Sequence, residues 1–120
     1  MNIKKIVFWT LLLVVWGLNL DALAHSTLSS SSPDNGAVLT EVPDKLELNF
    51  KSKVKLIKVT LIHNQESEVP VLLESNKGFA SSFSVELPVL NSGKYQVSWM
   101  VMGKDTHKIT GDFTFELKKK

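Results

Sequence analysis

The chain has 120 residues, 43% hydrophobic and 22% charged, with 14 Lys+Arg against 12 Asp+Glu and a formal net charge of +2. So even a balance, with no concentrated basic stripe, argues against a nucleic-acid-binding surface. The lack of cysteine excludes disulfides, thiolate metal sites and lipid attachment through a cysteine, so a metal must be held by nitrogen, oxygen or methionine sulfur.

The first element in chain order is an export signal. Lys4 and Lys5 form a basic start, Ile6 to Leu18 form an apolar run, and Ala22-Leu23-Ala24 reads as a signal-peptidase site. The run is about thirteen residues, short of the roughly 20 that span a bilayer. Residues 1–24 are therefore expected to be a cleaved secretory signal peptide, and residues 25–120 one small soluble domain. Cleavage makes His25 the first residue of the mature protein. Its free α-amine, with an ordinary pKa near ~8, and its imidazole then close a chelate ring around a metal ion at small entropic cost.

The mature region reads as strands and turns. Leu46 to Phe50 alternates apolar and polar residues, as does Leu56 to Ile62. Val69 to Leu73 is a shorter run interrupted by Pro70, which suits an edge strand or a strand start. Phe83 to Leu87 alternates again and stops at Pro88. Tyr95 to Val101 is the strongest strand, with Tyr95, Val97, Trp99 and Val101 on one face, and the last strand turns Phe113, Phe115 and Leu117 inward. Turn residues cluster at Ser32–Gly36, Asn64–Glu66, Ser75–Gly78 and Asn91–Gly93. About seven short strands at this spacing predict an all-β, antiparallel sandwich, with Trp99 as a core aromatic.

Between the last two strands lies Gly103-Lys104-Asp105-Thr106-His107. In an extended segment Asp105 and His107 point the same way. On its own the pair is an ordinary polar connection, Asp105 making a local turn hydrogen bond. Together with His25 it offers two imidazoles, an amine and a carboxylate. Three nitrogens and an oxygen suit Cu(II), which stands at the top of the affinity series for such ligands. His63 ends a strand without a spacing partner and reads as a turn residue. Met100 and Met102 read as packing residues, and Lys104 and Lys108 as solvated flanks of the loop. No serine sits in a nucleophile-elbow context, so a Ser-His-Asp hydrolase has no support.

Taken together, Ala24-His25, Ser32-Pro33-x-x-Gly36-x-x-Leu39, Pro43, Gly93-x-Tyr95-x-Val97-x-Trp99, Asp105-x-His107, Gly111 and Phe113-x-Phe115 resemble the CopC/PcoC family of periplasmic copper-binding proteins. The resemblance covers essentially the whole mature region. It implies a seven-stranded Greek-key sandwich or barrel of cupredoxin-like or immunoglobulin-like type. It also implies Cu(II) held by the N-terminal histidine and by the Asp and His of a D-G-H loop, which fall on His25, Asp105 and His107. The implied role is copper homeostasis or resistance without catalysis, with an inner-membrane permease of the CopD type as partner. Two departures stand out. Thr106 replaces the loop glycine, and threonine is expected to avoid the positive φ that glycine allows. The methionine-rich loop that binds Cu(I) in some members is not found.

Two other classes compete with this reading. A histidine-brace copper monooxygenase also begins with histidine, but the small size, the carboxylate and the lack of a flat aromatic surface count against it. A metal-free exported sandwich would be indifferent to substitution of His25.

Overall fold

The computed structural model describes residues 27–73 and 78–120. The segment 1–24 expected to be an export signal, His25 and most of the Ser75–Gly78 turn lie outside the described residues. Seven strands follow in order: β1 (Leu28–Ser32), β2 (Ala37–Leu39), β3 (Lys45–His63), β4 (Ser67–Val69), β5 (Ala80–Glu86), β6 (Gly93–Met102) and β7 (Lys108–Leu117). The expected all-β, seven-stranded architecture is the one found. One pairing, β2 with β7, is parallel.

The two alternating runs around Leu48 and Val59 belong to a single strand of 19 residues, β3. Its first half pairs with β1 and β5 to make one layer. Its second half pairs with β4 and β6, and β6 carries β7 and β2, to make the other layer. Ladder irregularities between Asn49 and Val54 and between Leu56 and Lys58 mark where β3 changes layer. Such breaks bend a strand and increase its twist. The run after Val69 does not continue as a strand, because Pro70 has no N–H for the ladder.

The core forms from the inward set of each strand: Leu46, Leu48 and Phe50 with Phe83 and Val85 on one layer, Val59, Leu61, Val97, Trp99, Val101, Phe113 and Phe115 on the other. Trp99 meets Phe50 edge-on, with ring centroids 5.2 Å apart, and so joins the layers. Tyr95 is buried and donates its hydroxyl to Asn91 O at 2.6 Å, pinning the entry of β6 as a tyrosine corner does. Burial pushes the Tyr95 pKa up, partly opposed by that hydrogen bond. The turn after β3 has Asn64 and Gln65 both at positive φ (51° and 63°), closed by Glu66 N donating to His63 O at 3.1 Å. Positive φ at both central residues matches the strand twist, and the ladder resumes at His63 opposite Ser67, leaving a three-residue loop.

Gly111 faces Trp99 across the β6–β7 ladder. A Cβ there would overlap the ring carbon Cζ2 and come within 2.8 Å of Cε2. The indole, 5% exposed and backed by Phe50, has little room to yield. Gly111→Ala is expected to cost about 1–3 kcal/mol, lowering Tm by roughly 4–8 °C per kcal/mol for a domain of this size. Gly78→Ala, whose Cβ would meet nothing within 4 Å, is the control and should stay within about 0.5 kcal/mol of the parent. Differential scanning calorimetry of both variants checks this.

Candidate metal centre

The loop between β6 and β7 is short and closed at both ends. The β6–β7 ladder runs out to the pair Met102 and Lys108. Gly103 N then donates to His107 O at 3.1 Å, and Thr106 N donates to Gly103 O at 3.0 Å. Lys104 and Asp105 are thus the central residues of a turn. Thr106 follows with φ of 70°. A turn followed by one left-handed residue is the usual three-residue hairpin loop, in which that residue brings the strand back into register. The expectation that threonine would avoid positive φ does not hold, because hairpin closure imposes the conformation whichever residue stands there.

The same turn brings the two candidate ligands together. His107 Nδ1–H donates to Asp105 Oδ2 at 2.9 Å, and His107 N donates to Asp105 Oδ1 at 3.2 Å. The contact arises from a tight turn and not from an extended segment. The local turn hydrogen bond expected of Asp105 is therefore present, in addition to the imidazole contact. Both side chains are open to solvent, His107 at 83% and Asp105 at 67%. The side-chain bond from His107, then the backbone bond from His107, hold the Asp105 carboxyl below its ordinary value. The contact sets the two side chains next to each other with Nε2 facing away from the carboxylate, so one ion can bind both only when this hydrogen bond opens.

Asp105 also lines a cleft of about 580 Å³ with Thr27, Lys51, Lys53, Lys104 and Ile109. Thr27, whose carbonyl accepts from Lys51 N at 3.0 Å, is the first described residue. His25 itself lies outside the described residues. Among the described residues no three His, Cys, Asp or Glu side chains converge, so Asp105 and His107 supply two donors and a complete centre needs more.

The remaining candidates lie elsewhere. His63 pairs with Tyr95 at the opposite end of the β3–β6 ladder from Met102, about 23 Å along the strand. Its ring stacks on Tyr95 with centroids 4.7 Å apart, and its Nε2–H donates to Ser92 O at 3.0 Å. It is a packed strand-end residue, as its sequence context suggested. Met100 and Met102 are half-buried on the outer face of β6, opposite Lys58 and Lys55. They are not core fillers, because the inward positions belong to Val97, Trp99 and Val101. Trp99 is a core aromatic as expected, and Lys104 and Lys108 are exposed.

A two-layer β-fold carrying an exposed Asp–His hairpin loop defines the class. The sequence matches the CopC domain over residues 28–118, and the chain belongs to that family. Copper resistance protein C of Escherichia coli is 31% identical over 115 residues, covering 88% of this chain and 90% of that protein. Copper resistance protein C of Pseudomonas syringae pv. tomato is 33% identical over 106 residues, covering 81% and 83%. The crystal structure of PcoC, a methionine-rich copper resistance protein from Escherichia coli, superposes with a TM-score of 0.63 at 28% identity, covering 79% of this chain and all of that one. The present chain has 3 methionines in all.

Two outcomes follow from the loop geometry. Left-handed threonine costs about 1–2 kcal/mol, while glycine adds roughly 0.5–1 kcal/mol of unfolded-state entropy. Thr106→Gly should therefore be neutral to about 1 kcal/mol more stable. Thr106→Pro fixes φ negative and removes the N–H that bonds Gly103 O, so it should cost about 3 kcal/mol. Urea unfolding of both variants decides whether the conformation at Thr106 is the one described. Separately, a carboxyl whose folded pKa is lowered contributes stability above its unfolded value and loses it as pH falls through the folded value. Carbon-13 NMR should find the Asp105 midpoint below 3.8, and His107→Ala should return it upward. An unmoved midpoint would mean that the imidazole does not hold the carboxylate.

Proposed function

We propose that this protein is an exported copper carrier that chelates Cu(II) through the α-amine and imidazole of His25 together with Asp105 and His107. The observation that carries the reading is the exposed Asp105–His107 pair at 2.9 Å beside a cleft that Thr27 also lines. Two residues span at most about 7 Å of chain, so His25 is tethered within short reach of that cleft. Membership in a family whose relatives are named copper resistance proteins supports copper as the cargo. The donor set, with three nitrogens and one oxygen, suits the cupric ion.

In this reading residues 1–24 direct export and are removed, the protein works in the periplasm, and a CopD-type inner-membrane permease is the partner. The protein's own part is positioning. The hairpin holds Asp105 and His107 side by side, binding exchanges their mutual hydrogen bond for two bonds to the ion, and the terminal residue closes the centre as a bidentate arm. Chelation and release are the whole cycle, with no bond made or broken in a substrate. Amine and imidazoles must be deprotonated to bind, so uptake weakens on acidification through the range where imidazoles protonate.

Cu(II) titration of processed protein beginning at His25, beside a sample with one extra residue ahead of it, tests the assignment. Expected is one-to-one binding with nitrogen-rich electron paramagnetic resonance, weakened at least about a hundredfold by the extra residue and by His107→Ala. Affinity should fall sharply from pH 8 to pH 5. Equal binding by the two samples would move the centre away from His25, and no binding by either would end the copper reading. Mass spectrometry of the exported protein should show His25 as its first residue.

A further inference from the structure

Six lysines gather at the end of the sandwich that carries the Asp105–His107 loop. The Lys51–Lys58 stretch of β3 holds Lys51, Lys53, Lys55 and Lys58 and no carboxylate, and the loop and the start of β7 add Lys104 and Lys108. All six are exposed. Lys51, Lys53 and Lys104 line the cleft of about 580 Å³ beside Asp105. Lys55 pairs with Met102, which pairs with Lys108, so these two lysines share one row across three strands, about 10 Å apart. Among the described residues none of the six is paired with a carboxylate. Asp105 is the one acidic residue in the cleft, and it is engaged with His107.

Such a concentration of like charge is unfavourable for the fold and opposes entry of a doubly charged cation into the neighbouring centre. Its physical use lies in attracting a negative surface from outside. Three features narrow the kind of surface. The site is concave, which suits a protruding segment better than a flat bilayer. Lys51 to Lys55 extend about 13 Å along the strand, wider than a single small anion. Ile57 and Ile109, 37% and 39% exposed, lie among the lysines and add apolar contact.

We propose that this lysine-rimmed cleft is the docking surface for an acidic, extended segment of the protein with which this one exchanges copper. The proposal rests on the copper-carrier reading above. Docking sets carboxylates against Lys51, Lys53 and Lys104, cancels the local positive potential, and brings the partner's metal-binding groups to the open side of Asp105 and His107. Handover then occurs where the two proteins touch.

The test uses the metal-free processed protein first, followed by nitrogen-15 NMR. Acetylated hexaglutamate should perturb amides within residues 51–58 and 103–109, and acetylated hexaglutamine should not. The affinity should drop roughly fivefold or more in the variant Lys51→Gln/Lys53→Gln/Lys104→Gln, and also between about 20 and about 300 mM salt. No selective perturbation overturns the proposal. So does citrate competing equally at matched carboxylate concentration, which would define a small-anion site. Binding to vesicles with about one anionic lipid in four, without hexaglutamate binding, would assign the patch to a membrane and equally overturn it.

The second step follows copper leaving the loaded protein for two acceptor peptides, Gly-Gly-His extended by four glutamates or by four glutamines. The acidic acceptor should take copper about threefold faster or more at low salt, and the triple variant should erase the difference. Equal rates with the parent protein overturn the exchange role. Should the parent take up no Cu(II), the carrier reading fails by itself, and the hexaglutamate titration still decides whether the cleft binds an acidic segment.

Discussion

Strand β3 is the constraint on which everything else in this structure hangs. It is hydrogen-bonded into one layer over its first half and into the other over its second. The two layers are therefore covalently continuous through residues 50–55. Leu46, Leu48 and Phe50 face the core from one side of that crossing, Val59 and Leu61 from the other. The backbone of Lys51 at the crossing bonds Thr27, and the crossing lines the cleft that Asp105 enters. Core, cleft and candidate centre are placed by one event in the chain: a strand changing its partners.

The loop that holds Asp105 and His107 obeys a different constraint, the need of a short hairpin to return its strand in register. The left-handed residue that satisfies it is a threonine here. Because Gly103 bonds both Thr106 and His107, the two candidate ligands move as one body. Their mutual hydrogen bonds set the orientation of the His107 ring. Two of the donors in the proposed centre are thus held together by the fold.

Alternation made β6 and the inward face of β7 legible from residues alone, since Tyr95, Val97, Trp99 and Val101 occur at strict period two. It also found both halves of β3 but not their continuity, because Lys51 to Lys55 breaks the pattern where the strand changes layer. β1 was invisible. Its sequence is one leucine and four serines, and it is a strand because β3 pairs with it, not by propensity. The parallel contact of β2 with β7 has no local signal at all. Spacing alone made Asp105 and His107 only an ordinary polar pair, singled out through His25 and the family resemblance; that they meet is due to a turn, and the place of Thr27 in the cleft with Asp105 is tertiary. The stacking of His63 on Tyr95 joins residues far apart in sequence, which no local pattern reveals.

Trp99 has an optical consequence. The other two tryptophans, Trp9 and Trp16, lie in the segment assigned to the export signal. In a protein beginning at His25, as proposed above, one indole accounts for all tryptophan emission. Its Nε1 is buried and has no hydrogen-bond partner among the described residues. With little relaxing solvent around it, its excited state emits toward the blue and is shielded from collisional quenchers. Because the ring rests on Phe50 from the opposite layer, that signature exists only while both layers are closed on each other. In that proposed form the protein carries a built-in fluorescent gauge of its own tertiary integrity.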